Sequence, residues 1–346
     1  MTEEPILSIC IGTYNHLNTL KPMIDELLQI KDNRFEIVVS DNVSTDGTWK
    51  YLTEIEDKRL NIIRNKYNIG MSPNWLKALS FGRGKYLFHL NDKELVYSSG
   101  ILYLIDRLSQ EDSGFIHVAR GKVSVKEERY TTTEESFIRF AYKPGHPSGI
   151  IIRKKEFIEI KNSDLKKYFS KDNLYPYAFL IANIIALNGK TAAYNIKLWD
   201  FLPMPQLADI KSYTKCEMEE DAWFSPNSRV KYLERMVQDC IKLDVRLSLE
   251  DRILNMYKYT LYLAVTRYKN VRNDRELMSH SGFLPLKIGF LKQIRICFFV
   301  YYEFTKWFRR NYNNKIKKKS FWIKLKTETA KYIWRVCKDV LKGARI

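Results

Sequence analysis

Cysteine is scarce and scattered. Cys10, Cys216, Cys240, Cys297 and Cys337 are the five in a chain of 346 residues, with no CxxC pair and no Cys/His cluster. An odd number at such spacing argues against a disulfide framework and a structural zinc site, and fits a reducing cytoplasm. Long apolar runs are missing as well. The longest, Tyr177–Leu187 and Ile296–Tyr302, fall short of the ~20 residues that a spanning helix needs. The opening Met1-Thr-Glu-Glu-Pro5 is acidic and leads directly into an apolar run, so no secretory leader is expected. Internal repeats and low-complexity tracts are absent. No RNA- or DNA-binding motif is present, so nucleic acid is not an expected partner.

The length exceeds the usual single-domain mode, and 45% apolar with 28% charged residues is a globular composition. The net charge of +18 is unevenly placed: residues 287–346 hold 17 Lys/Arg against 3 Asp/Glu, which is +14 of the total. A nearly balanced body with a basic end reads as a folded domain plus a surface-directed region.

Along the first hundred residues strand and helix patterns alternate. Ile6–Ile11, Phe35–Val39, Leu60–Ile63 and Tyr86–Leu90 read as strands, with helices at Leu17–Ile30, from Thr45–Gly47 onward, and at Pro73–Phe81. Such alternation predicts an α/β fold with a mostly parallel sheet, in which ligands sit beyond the carboxyl ends of the strands. Polar clusters follow three of these strands: Thr13-Tyr14-Asn15, Asp41-Asn42 and Asn91-Asp92-Lys93-Glu94. Singly each fits a satisfied loop; together on one rim they favour a site. Further strands are expected at Phe115–Val118, Gly149–Ile152 and, as the last, Thr191–Ile196, with an apolar helix at Tyr177–Leu187. Past Pro226 the pattern is helical. This gives a catalytic-type domain over 1–205, a linker over 206–228 and a helical region over 229–346.

The segments SICIGTYNHLNTL, EIVVSDNVSTDGT, NIGMSPNWLKAL and GKYLFHLNDKELV follow, in order and spacing, the pattern of family 2 glycosyltransferases with the GT-A fold. The chain resembles that family over roughly residues 5–200, and within it bacterial enzymes that build surface polysaccharides, including an abequosyltransferase-like branch. The resemblance implies an inverting transfer of a sugar from a nucleotide-sugar donor to a glycan acceptor, lipid-linked and met at the inner face of the cell membrane. It implies that Thr13, Tyr14 and Asp41 bind the nucleotide, Tyr14 by stacking and Asp41 on the base or ribose; Asn15, Asn91, Asp92 and Lys93, in the same polar clusters, are the further candidate nucleotide contacts. An Asx turn is the structural alternative for Asp41 and ordinary packing for Tyr14.

Asn91–Glu94 occupies the family's Asp-x-Asp position, so Asp92 and Glu94 are the candidate ligands for Mg²⁺ or Mn²⁺. This run departs from the family pattern at Lys93, a cation that could partly replace the metal. The acceptor base would be Asp172, in SKDNLYPYAF, where an N-cap is the alternative role; Asp200 is the second candidate base. His146, in PGHPSG, is a candidate acceptor contact. A non-catalytic basic scaffold, or a nucleic-acid-binding protein on a decayed transferase fold, is the rival reading that Lys93 argues for.

In the basic region Phe321/Trp322, Leu325, Tyr332, Val336 and Val340 recur at helical spacing, with Lys324, Lys331, Lys338 and Lys342 on another face; Leu286–Arg310 behaves alike, with Phe290, Ile294, Phe304, Trp307 and Phe308. Helices of this kind lie on anionic membranes, and the alternative is a packed bundle with solvated lysines. Self-association is compatible with either.

Overall fold

The run Leu7-Ser-Ile-Cys-Ile-Gly-Thr13 forms strand β1 and is buried at every position, as is β2 (Phe35–Asp41). Burial on both faces is what a parallel strand between helical layers requires, and it is why these segments read as continuous apolar runs. Between them α1 (Leu17–Gln29) turns Leu20, Met23, Ile24 and Leu27 to one buried face, the i, i+3, i+4, i+7 set of an amphipathic helix. Then follow α2 (Thr48–Thr53), β3 (Leu60–Arg64), α3 (Met71–Phe81) and β4 (Tyr86–His89).

This computed structural model describes residues 4–118, 126–143, 146–171, 173, 175–201, 225–271, 289–312, 315–316 and 318–341. The chain divides into two compact units, residues 1–209 and 210–346. The stretch 202–224, which holds most of the expected linker, lies outside the described residues.

The first unit continues with β5 (Glu94–Val96), α4 (Ser98–Ser109), β6 (Phe115–Val118), β7 (Glu128–Tyr130), α5 (Thr133–Phe140), β8 (Ile150–Arg153), α6 (Lys154–Glu159), α7 (Asn162–Tyr168), α8 (Pro176–Leu187), β9 (Thr191–Tyr194) and β10 (Trp199–Phe201). Among the described residues eight strands form one sheet in the order β3-β2-β1-β4-β8-β6-β9-β7. β1 pairs in parallel with β2 and β4, and β2 with β3. The carboxyl ends of these four strands therefore lie on one edge. β8 runs antiparallel between β4 and β6. The strand expected to close the sheet ends at Tyr194 rather than Ile196 and is not the last; β10 follows and pairs antiparallel with β5 as a separate ribbon.

Gly12 permits α3 to sit tightly on β1, since a Cβ there would come within 2.8 Å of Trp75 Cδ1 and 3.0 Å of Asn74 Nδ2. The approach lets Asn74 Nδ2 donate to the carbonyl oxygens of Ser40 (2.8 Å) and Thr13 (3.3 Å), tying the ends of β1 and β2 together.

In the second unit α9 (Pro226–Cys240) begins on Ser225, whose Oγ accepts from Ser228 N at 3.0 Å, with Pro226 in the first turn. It is followed by α10 (Leu249–Val271), α11 (Gly289–Tyr312) and α12 (Lys319–Leu341). Phe304, Phe308, Phe321, Leu325 and Val336 are buried here. Of the two alternatives left open by the aromatic spacing, packing into a bundle accounts for these residues, which form part of the core of this unit. The large apolar side chains left exposed on α11 and α12 are others, among them Phe298, Tyr302, Ile323 and Trp334. No helix among the described residues is long and apolar enough to cross a membrane.

Candidate functional site

The strand edge carries two groups of polar residues. At the ends of β1 and β2, Thr13 is paired in register with Asp41, and Asp41 with Arg64 of β3. The Asp41 carboxylate is fully buried, accepts from Ser44 N at 3.1 and 3.3 Å, and meets Arg64 Nε at 3.3 Å. The Asx turn and a charge partner thus coexist at this residue. Thr13 is also buried, and its Oγ1 has no hydrogen-bond partner. A buried hydroxyl in that condition costs stability unless something else pairs with it.

Tyr14 keeps 42% of its surface exposed. Asn15 adopts a left-handed backbone (φ 54°), donates its N–H to Ser44 Oγ (2.9 Å) and accepts from Thr45 N (2.7 Å). Its side chain therefore pins the turn after β1 to the turn after β2. Behind both turns lies an asparagine network. Asn65 Nδ2 donates to Asn42 Oδ1 and Asn74 Oδ1, both at 2.9 Å, and Asn42 Nδ2 donates to Asn68 Oδ1 at 2.6 Å.

The second group follows β4. Asn91, Asp92, Lys93 and Glu94 are all buried, each under one-tenth exposed, so this is no solvated turn. Asp92 Oδ2 meets His16 Nδ1 at 2.8 Å, and Thr19 Oγ1 donates to the Asp92 carbonyl oxygen at 2.7 Å. Glu94 Oε1 receives Asn91 Nδ2 and Ser148 Oγ, both at 3.4 Å, and faces His146 Nε2 at 3.4 Å. Glu94 Oε2 is buried without a hydrogen-bond partner. Burial above all, with the charges of Asp92 and Asp200 adding, pushes the Glu94 carboxyl up to about 8, against the pull of its hydrogen bonds from Asn91 and Ser148. Burial likewise holds the Lys93 ammonium below its usual range, while Asp92 opposes that shift.

Asn91 is fixed from two sides: its N–H donates to Ser148 Oγ (3.1 Å) and its Oδ1 meets His89 Nε2 (3.1 Å). Since that oxygen can only accept, the His89 proton is assigned to Nε2, and Nδ1 is left buried without a partner. The ribbon of β5 and β10 aligns Asp200 with Leu95 and Phe201 with Glu94. The His146 ring stacks on Trp199 with centroids 4.9 Å apart and planes at 18°. Gly149 makes the approach feasible: its φ is +89°, and a Cβ would come within 2.8 Å of Trp199 Nε1.

The structure therefore brings Asn91, Asp92, Lys93, Glu94, His146 and Asp200 together, and keeps Thr13, Tyr14, Asn15 and Asp41 at the neighbouring strand ends. Asp172 lies outside the described residues. Its neighbours are placed: Ser72 Oγ donates to the Asn173 carbonyl oxygen at 3.3 Å, and a Cβ on Gly70 would come within 3.0 Å of Lys171 Cγ. Lys171 and Asn173 thus lie against Gly70 and the first turn of α3. His16, Ser148 and Trp199 belong to the site and were not singled out from the sequence. The local signals were His16 adjoining Tyr14-Asn15 and Ser148 lying two residues past His146 in PGHPSG.

Among the described residues no group of three or more His, Cys, Asp or Glu is arranged to hold a metal ion. Mg²⁺ in nucleotide sites is usually held by one or two carboxylates, with water and substrate phosphates completing the shell. Two adjacent buried carboxylates, one with an unpartnered oxygen and a pKa raised by burial, fit that division.

Residues 8–171 match the family model described as glycosyl transferase family 2. The chain is 27% identical to an uncharacterized glycosyltransferase of Haemophilus influenzae, over 86% of this chain and 100% of that protein. It is 30% identical to the Escherichia coli UDP-Glc:alpha-D-GlcNAc-diphosphoundecaprenol beta-1,3-glucosyltransferase WfaP, over 26% of this chain and 36% of that one. Among solved structures, S. aureus TarS 1-349 in complex with UDP superposes with a TM-score of 0.56 at 11% identity, covering 97% of this chain and 91% of TarS, which is a likeness of fold.

Proposed function

The chain belongs to glycosyl transferase family 2, and from that premise we propose that it is an inverting enzyme that moves one sugar from a nucleoside-diphosphate donor to a lipid-linked glycan. The observation that carries this reading is the buried run Asn91–Glu94 at the carboxyl end of β4, on the same sheet edge as Thr13 and Asp41. A UDP-sugar and a polyprenyl-diphosphate acceptor are the substrates in the E. coli relative's name, and we take the same classes for this chain.

The exposed Tyr14 ring offers a stacking face for the base. The unpartnered Thr13 hydroxyl offers a hydrogen bond, and Asp41, held rigid by Arg64 and Ser44, an acceptor. Asp92 and Glu94 would hold a divalent cation, which when bound offsets charge on the departing diphosphate. Lys93, an ammonium buried beside Asp92, places a second cation in the same run. His16 and Thr19 hold Asp92 in position, and Asn91 and Ser148 hold Glu94.

For the transfer itself the acceptor hydroxyl oxygen bonds to the anomeric carbon as the bond from that carbon to the diphosphate oxygen breaks. The hydroxyl proton passes to a carboxylate. Asp172 fills that role, with Asp200 the second candidate. His146, stacked on Trp199 at the edge of the cluster, is suited to contact the acceptor sugar.

The basic second unit would hold the enzyme against the anionic inner leaflet where a lipid-linked acceptor resides. Thermal denaturation against a panel of nucleoside diphosphates, with and without Mn²⁺, tests the donor reading. One nucleotide should raise the midpoint more than the others; indifference to all of them would refute it.

A further inference from the structure

We infer that a groove between α11 and α12 holds the hydrocarbon chain of an anionic membrane lipid. The groove measures about 440 Å³ and is walled by Phe298, Tyr301, Ala330, Ile333, Trp334 and Cys337, within the range of ordinary ligand sites. Two of its walls are strongly exposed, Phe298 at 57% and Trp334 at 67%. Polar demand inside it is already met at Thr329: its hydroxyl donates to the Leu325 carbonyl oxygen at 2.8 Å and meets Tyr257 Oη at 2.6 Å. A lining of that kind has affinity for hydrocarbon and little for a sugar or nucleotide.

The charge around it says what kind of chain. Lys326 lines the groove itself. Helical spacing sets Arg295 one turn before Phe298, and Lys338 one turn after Trp334, on the same faces. The two helices run antiparallel, with Phe308 near Phe321 (5.9 Å between rings) at one end and Cys297 near Cys337 at the other. Arg295 and Lys338 therefore fall toward one end of the groove and Lys326 toward the other. None of the three forms an ion pair among the described residues. An apolar channel with unpaired cations at both ends matches a lipid whose headgroup is negative.

This inference rests on the reading of the second unit as membrane-facing, and goes beyond surface attraction to a site for one chain. The test uses the full-length protein and dodecyl phosphate below its micelle concentration, followed by calorimetry and tryptophan emission. One molecule should bind per chain, while inorganic phosphate at the same concentration should not bind. Ala330→Phe fills the groove from an exposed helical position and should weaken dodecyl phosphate at least tenfold. Trp334→Ala, which removes a wall instead, should give a comparable loss by a different route. Ala330→Phe should still sediment with phosphatidylglycerol vesicles, because its surface charge is unchanged. If vesicles hold the protein but dodecyl phosphate does not bind, the groove is not a lipid site and surface attraction alone stands. If neither binds, both readings fall. A concentration-dependent dimer that Ala330→Phe disrupts would assign the groove to a second copy of the chain and overturn the inference.

Discussion

His16 Nδ1 lies 2.8 Å from Asp92 Oδ2, and Thr19 Oγ1 donates to the carbonyl oxygen of the same aspartate at 2.7 Å. The first turn of α1 thus grips the run after β4 across 76 residues of sequence. If Asp92 serves the donor diphosphate, loosening that grip should act on donor affinity first. His16→Ala is expected to raise the donor KM about five- to tenfold, on the order of 1 kcal/mol for a partly exposed hydrogen bond to a charged group, with kcat little changed. Unaltered donor affinity would make His16 a bystander.

Asp41 and Arg64 define a second test. Asp41→Ala leaves Ser44 N without its acceptor and Arg64 Nε without its carboxylate partner, although the guanidinium still donates to the Ser44 carbonyl oxygen. Nucleotide affinity should fall by roughly 1–3 kcal/mol and the thermal midpoint should drop as well. Asp41→Asn, which retains one acceptor oxygen, should recover most of the stability but only part of the affinity. Calorimetry with full affinity in Asp41→Ala would remove this residue from the donor pocket.

Base identity is decided by isosteric change. Asp172→Asn should lower turnover about 10²–10⁴-fold while donor binding is retained. Near-normal turnover in that variant would shift the role to Asp200, whose place opposite Leu95 in the β5–β10 ribbon already brings it to the cluster.

Two histidines, His89 fully buried and His117 half-buried, contribute to the acid side of stability. Burial lowers His89 to about 3 and His117 to about 4, with the hydrogen bond to Asn91 opposing the shift at His89 and the Arg139 charge adding to it at His117. Both stay neutral in the folded chain, so their contribution is fully present above the ordinary value of 6.5. As pH falls from about 6.5 toward 4 the unfolded chain gains protons that the folded chain does not, and stability is lost. The thermal midpoint should therefore fall over that window, and His117→Gln should show a shallower fall than the parent. Equal slopes would contradict the assignment.

The α/β architecture was legible because β1 and β2 are buried on both faces and α1 carries a clean apolar stripe. The polar strand ends were legible for the same reason, since the strand limits place them. What escaped was set by contacts far apart in sequence. β5 and β10 are three residues each, too short for any periodicity, and exist because they pair with each other. Trp199 enters the site only through that ribbon, and Ser148 only through the Gly149 turn. In the second unit helical spacing marked the apolar faces but could not tell which would be packed: Phe304 and Phe308 became core, while Phe298 and Trp334 remained outside.

The basic region should act through screened attraction. Full-length protein is expected to sediment with anionic but not neutral liposomes and to be partly released by salt, as the Debye length shrinks from about 10 Å at 0.1 M to about 3 Å at 1 M. Indifference to anionic liposomes at low salt would require another partner for the +14 charge of residues 287–346.

The central claim is that Asn91–Glu94 faces the donor diphosphate, and one comparison tests it most directly. Calorimetry in Mn²⁺ buffer would measure the nucleoside diphosphate and its parent nucleoside against the parent protein and an Asp92→Asn/Glu94→Gln variant. The expected result is a loss of at least tenfold for the diphosphate, with nucleoside affinity unchanged. Equal affinity of both proteins for the diphosphate, or an equal loss for the two ligands, would contradict it.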